Sequence, residues 1–191
     1  LTRVAGLPLG VALSRHVHLD NLAVLRPYIV RALWAAIPVY LVVLAWANAW
    51  LGAHWLGIGP ARAKLDGVHW LPFYYHYFST ETHALRSLLA VAAMYLPVGF
   101  GYWMWTLRAT PAAAHGSALI PALIAASLAA MMEMGKLFLP GKHPDPTDVL
   151  IAMAAATGAY LVATMVYRWA VQHESALAPS ARSDVPQGGS L

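Results

Sequence analysis

Glu133 is the residue whose type and position point most strongly to chemistry. It lies inside a long apolar stretch, where an ionisable side chain is costly and by default marks a functional site. Six residues separate it from Leu139, which puts it about 9 Å inside the end of a helix. Lys136 lies one turn further on the same helical face, where it can pair with Glu133 or extend to lipid head groups. We favour a functional polar site over an ion pair that only fixes helix packing.

A second polar segment, residues 145–148, follows a turn rich in proline and glycine. Asp145 before Pro146, with an acid two residues later, is typical of a helix start, with aspartate as the N-cap. For Asp145 a capping role and a functional role both stay open. The turn joins two apolar windows into an antiparallel hairpin, so the polar side chains before and after it meet. We predict a substrate-binding groove formed by Glu133, Lys136, Lys142, Asp145 and Asp148. No residue is assigned a catalytic role.

The elements that position these residues are long apolar windows. Hydrophobic residues make up 60% of the 191 residues and charged residues 10%, against about 25% charged in soluble domains. A membrane-spanning helix needs about 20 mostly apolar residues, and four windows satisfy this: 28–51, 84–107, 117–139 and 148–171. We therefore predict an all-α polytopic membrane protein, a bundle of about four transmembrane helices.

Three regions follow from this pattern. Residues 1–27 have short apolar runs broken by Pro8, Gly10 and arginines, which predicts an amphipathic segment at the membrane interface. Residues 28–171 form the membrane domain. Residues 172–191 are rich in serine, alanine, proline and glycine, which predicts a disordered polar tail.

Lysine and arginine are unevenly divided between the two sides of a four-span arrangement. One side has seven (Arg3, Arg15, Arg26, Arg31, Arg108, Arg168 and Arg182), and the other has five (Arg62, Lys64, Arg86, Lys136 and Lys142). The positive-inside rule then places both termini in the cytoplasm. The turn at 140–147 and the polar groove are expected to face outward.

Several classes of site are disfavoured by the composition. The net charge is +4, but the basic residues form no cluster, so we predict no nucleic-acid partner. The absence of cysteine excludes thiolate chemistry. None of the nine histidines lies in a predicted span, and Pro72 interrupts the series His69, His76, His83. We predict no metal site and no cofactor.

The window after the turn carries small residues at regular spacing. Ala155, Ala159 and Ala163 recur every fourth residue, a pattern that allows helices to approach closely in a membrane. We interpret this stripe as a packing surface for a neighbouring span.

The segment from Glu133 to Asp148 resembles the signature of the VanZ-like family of bacterial integral membrane proteins. That signature pairs a glutamate with a glutamine one turn later and has a basic residue and two aspartates before the last span. Upstream, Pro72-Phe73 resembles the family's Pro-Phe element, and Tyr95-Leu96-Pro97-Val98-Gly99-Phe100 resembles its Phe-x-Pro-x-Gly segment. The resemblance covers about residues 31–170, in the same order.

The chain departs from the family pattern at its neutral polar and basic positions. Lys136 replaces the glutamine, Lys142 the arginine and Ala152 an asparagine of the last helix, while His69 stands where a polar residue, often asparagine, precedes Pro-Phe. The acids Glu133, Asp145 and Asp148 match. The chain thus resembles a divergent member with an altered polar site.

The resemblance implies a multi-pass protein of the bacterial inner membrane. Its expected role is accessory, in glycopeptide resistance of the teicoplanin type or in envelope and exopolysaccharide metabolism. Its expected partners are membrane lipids and a lipid-linked envelope precursor bound in the outward-facing groove. The alternative of another class is a structural subunit that packs on other membrane proteins. An enzyme acting on lipid-linked sugars and a proton-coupled transporter rank below these.

Overall fold

The computed structural model describes residues 19–52, 54–77, 80–107 and 116–177, and these are helical without any strand. In chain order the helices are α1 (Leu19–Ala47), α2 (Ile58–Asp66), α3 (Tyr74–Tyr77), α4 (Glu81–Thr106), α5 (Leu119–Lys136) and α6 (Pro146–Leu177). Four contain segments long and apolar enough to cross a membrane: Pro27–Ala47, Glu81–Thr106, Leu119–Lys136 and Pro146–His173. The all-α fold with four spans is confirmed, and the chain is a multi-pass membrane protein.

Two boundaries differ from the sequence prediction. Helix α1 begins at Leu19 and contains Pro27, so residues 19–26 are continuous with the helix that carries the first span, Pro27–Ala47. Helix α6 continues to Leu177, six residues into the predicted polar tail. Once a helix is nucleated, each added residue gains a hydrogen bond without needing apolar side chains. Residues 1–18 and 178–191 lie outside the described residues.

Helices α4, α5 and α6 form the core, and α6 contacts both of the others. The buried cluster is rich in alanine: Leu44, Val91, Tyr95, Ala125, Ala129, Met132, Ile151, Ala152 and Ala156. Lipid tails are as apolar as these side chains, so membrane helices associate through close packing of small residues. Helix α1 is peripheral. Leu44 enters the core, and the Tyr40 hydroxyl donates to the Met94 carbonyl at 2.9 Å.

The closest approach between α4 and α6 is at Gly99. A Cβ atom on Gly99 would overlap the Ala156 carbonyl, so only glycine fits this crossing. The stripe at Ala155, Ala159 and Ala163 lies on the side of α6 that faces α4. Ala155 packs against the core cluster, and all three residues line a groove between α4 and α6.

Helix α1 ends in a Schellman motif that aims Trp50 at α5. Ala49 adopts φ 62°, the Trp50 N–H donates to Ala45 and the Ala49 N–H donates to Trp46. This is the 6→1 and 5→2 pattern of that motif. The Trp50 ring then packs on Gly135, where any Cβ would overlap it. The chain reversal therefore ties the end of α1 to the end of α5.

The connection between α1 and α4 crosses the same end of the bundle as the α5–α6 turn. The Leu56 N–H donates to the Phe138 carbonyl at 2.7 Å, and Lys64 Nζ donates to the Leu139 carbonyl. We call this end, with the turn at residues 137–145, the hairpin end. Glu133, Lys136, Asp145 and Asp148 contact one another at this end.

Candidate functional site

Lys136 lies between two carboxylates at the hairpin end. Its Nζ is 2.5 Å from Glu133 Oε1 and 3.0 Å from Asp148 Oδ2, so it bridges the last turn of α5 and the first turn of α6. Glu133 is 7% exposed and Asp148 9%. Both carboxyl groups therefore face protein and not lipid. We call these three residues the ion triad.

The backbone of the turn completes the coordination of Glu133. Its Oε2 accepts the Asp145 N–H at 2.7 Å. Both carboxylate oxygens are thus bonded, as a buried carboxylate requires. Glu133 therefore holds both the turn and Lys136 in place.

Asp145 has the capping role. Its Oδ1 accepts the Thr147 N–H at 2.8 Å, and its carbonyl accepts the Asp148 N–H at 3.1 Å, which is the N-cap arrangement at the start of α6. Asp148 lies in the first turn, where the helix dipole favours a negative charge. The sequence pattern of a helix start is therefore correct in detail.

Lys142 does not join the other four predicted residues. Its side chain is exposed, and among the described residues it makes no ion pair with them. Its carbonyl accepts a hydrogen bond from Lys64 Nζ at 3.3 Å. The physical reason is that Lys136 and the Asp145 N–H already bond the two carboxylate oxygens of Glu133.

Two contacts of the site are not evident from sequence. Lys64, from α2, bonds carbonyls of the turn, and buried Thr147 accepts the Phe73 N–H through Oγ1 at 2.8 Å. Phe73 has φ 64°, an unusual backbone conformation for a bulky residue. The contact joins the Pro-Phe element to the segment that follows the turn. The only sequence signal was their shared presence in one family pattern.

Tyr95 also belongs to the surroundings of the triad. It is buried in the core cluster together with Met132, the residue before Glu133. It occupies the aromatic position of the segment that ends in Gly99. The Tyr95 side chain thus places an aromatic ring and a hydroxyl at one buried position.

The triad has one lysine between two carboxyl groups, so it presents more acceptor oxygens than ammonium groups. Such a site suits hydrogen-bond donors such as hydroxyl, amide or ammonium groups, whereas a phosphate would be repelled. Phosphate would instead meet the exposed Lys142 at the edge. In the described part of the chain, no group of three or more histidine, aspartate or glutamate side chains is arranged to hold a metal ion.

Comparison of the chain with protein-family models, with curated proteins and with solved structures finds no match. The VanZ-like resemblance therefore stays a prediction that rests on the residues quoted above.

Proposed function

We propose that the chain is a VanZ-like protein of the bacterial inner membrane with an accessory role in the cell envelope. That role is in glycopeptide resistance of the teicoplanin type or in envelope and exopolysaccharide metabolism. The hairpin end faces outward and binds the polar part of a lipid or glycan precursor. The lipid-linked form of the precursor stays in the bilayer beside the spans.

The ion triad is the observation that supports this proposal. One lysine and two acidic side chains are held in fixed geometry where the end of one span meets the start of the next. Charged groups in spanning segments are costly and mark functional sites by default. Lys136 retains 15% side-chain exposure, so the triad is in contact with the outside of the bundle.

The roles of the residues follow from their charges. Glu133 and Asp148 accept hydrogen bonds from hydroxyl or amide groups of the precursor, and Lys136 fixes the two carboxylates in place. Lys142, exposed at the turn, contacts the phosphate of the lipid carrier. Asp145 shapes the site through its backbone N–H and its cap.

The test is a resistance or polysaccharide phenotype in cells that carry Glu133→Gln or Asp148→Asn. These substitutions keep the shape of the side chains and remove the charge. We expect loss of the phenotype while the protein accumulates normally in the membrane. Asp66→Asn and Glu81→Gln are the matched controls, because both acids are exposed at the same end and should leave the phenotype unchanged.

The proposal fails if the Glu133 and Asp148 variants accumulate normally and keep the full phenotype. A binding measurement separates function from folding: the purified chain in nanodiscs is titrated with a lipid-linked glycan precursor. We expect at least about tenfold weaker binding for Asp148→Asn, the equivalent of about 1.4 kcal/mol.

A second function, a structural subunit of a larger membrane assembly, is favoured by a different observation. An apolar groove of about 820 Å³ lies between α4 and α6 and includes Trp103, Ala159, Ala163 and Tyr167. Helix α1 also leaves most of its large side chains exposed, among them Trp34 and Trp46. Both surfaces suit packing against the helices of other subunits.

Bulky or truncating changes on these surfaces distinguish the two functions. Ala163→Trp fills the groove, and Trp103→Ala removes an aromatic side from it. A structural subunit would lose its co-purifying proteins in these variants while the isolated chain stays stable. The envelope role instead predicts sensitivity at Glu133 and Asp148 and tolerance at the groove.

A further inference from the structure

Residues 54–74, which we call the collar, expose many apolar side chains although no part of the collar spans the membrane. Its one full helix, α2, has nine residues, too few for the roughly 20 that a span needs. Ile58 is 80% exposed and Leu71 68%. Six large apolar residues of the collar are exposed: Trp55, Ile58, Leu65, Trp70, Leu71 and Phe73.

Hydrogen bonds fix the height of the collar along the bundle. Their acceptors are the Phe138 and Leu139 carbonyls after α5 and the Thr147 hydroxyl at the start of α6. Those positions are where two spans begin and end. The collar therefore lies at the level of the membrane surface and does not extend into bulk water.

The exposed apolar surface of the spans continues into the collar. Leu51, after α1, is exposed, and so is Leu85 in the first turns of α4. The collar lies between these two residues in sequence. Ile58 and Leu65, seven residues apart, share one face of α2 with Arg62, whose charged end can extend past the apolar side chains to the lipid head groups.

We propose that the collar inserts its apolar side chains into the boundary between head groups and acyl chains of the bilayer that the spans cross. The partner is the lipid surface itself. Tryptophan and tyrosine are enriched at this depth of a membrane, and moving a large apolar side chain out of water is favourable by about 1.5–3 kcal/mol. The inference is independent of the proposed envelope function, since it concerns only where the collar lies.

Single cysteines at positions 58 and 71 test the depth of the collar in a chain without native cysteine. Each variant, Ile58→Cys or Leu71→Cys, is labelled with an environment-sensitive fluorophore and reconstituted into phosphatidylcholine vesicles. Nitroxide lipids labelled near the head group or near the chain end act as quenchers. Ile37→Cys, exposed in the middle of the first span, and His143→Cys, exposed at the turn, are the deep and aqueous references.

We expect blue-shifted emission at 58 and 71, stronger quenching by the shallow nitroxide than by the deep one, and loss of most iodide quenching relative to position 143. Iodide quenching equal to that at 143 would place the collar in water and overturn the proposal. Protection from both iodide and nitroxide would show that protein covers the collar, which also overturns it.

The wild-type chain provides a second measurement that needs no substitution. In vesicles that contain a lipid with a photoactivatable carbene group near the head group, cross-links should form on residues 54–74. Cross-links confined to the four spans would contradict the proposal. Because the chain is wild-type, this result does not depend on the folding of the cysteine variants.

Discussion

At the scale of single residues, the ion triad is both a candidate binding site and a structural joint. Lys136 pairs with two acids that would otherwise be buried without a cation. Because charges removed from water are expensive unless paired, each member depends on the others. Functional and structural effects at these positions must therefore be separated by measuring stability directly.

Lys136→Met should destabilise the protein by about 3 kcal/mol, the lower end for breaking a buried ion pair. The reason is that Glu133 and Asp148 lose the lysine they share. Thermal or denaturant unfolding of the purified chain in detergent measures this. The triple variant Glu133→Gln, Lys136→Met, Asp148→Asn should recover most of the loss, and equal destabilisation in the triple variant would contradict the pairing argument.

Thr147→Val should cost about 1–3 kcal/mol, because the Phe73 N–H loses its acceptor in a partly buried site. Thr147→Ser keeps the hydroxyl and is the matched control, expected to retain most of the stability. Unfolding of both variants in the same detergent gives the comparison. If valine and serine behave alike, the hydrogen bond contributes nothing to holding the Pro-Phe element.

At the scale of helices, contact between α4 and α6 depends on the small size of a single residue. Gly99 lies against the Ala156 backbone. A Cβ atom on Gly101 of the same helix would have Leu33 Cδ2 as its nearest neighbour, at 3.8 Å. Both glycines lower helix propensity equally. A comparison of the two thus isolates packing from propensity.

Gly99→Ala should destabilise the bundle by about 1–3 kcal/mol through overpacking. Gly101→Ala should be neutral or stabilising by up to about 1 kcal/mol, the gain in helix propensity. The midpoints of unfolding in detergent decide between these outcomes. A gain in stability in both variants would mean that α4 and α6 are free to move apart.

At the scale of the whole molecule, the arrangement in the membrane is set by four spans and the weak excess of positive charge on one side. His143 and Ser117 are exposed at opposite ends of α5. His143→Cys should react with a membrane-impermeant maleimide added to intact cells, and Ser117→Cys only after permeabilisation. The reverse pattern would invert the topology and move the candidate site to the cytoplasm.

The sequence alone was sufficient for the number of spans and the hairpin at residues 140–146, and it gave the cap as one of two roles for Asp145. These depend on local patterns: hydropathy over about 20 residues, turn residues, and an aspartate before proline at a helix start. It also predicted correctly that Glu133, Lys136 and Asp148 lie close together, because a short hairpin places the end of α5 beside the start of α6.

Only the tertiary structure decided which of the nearby groups bond to one another. Lys142 is closer to Glu133 in sequence than Asp145 is, but its side chain is exposed. Lys64 bonds the turn and Phe73 bonds the start of α6, each across more than 70 residues of sequence. The same holds for the alanine stripe, whose neighbour depends on how α4 crosses α6 at Gly99. Local patterns fix where helices begin and end, whereas the pairing of side chains depends on the rotation of each helix, which is set by close packing of the whole bundle.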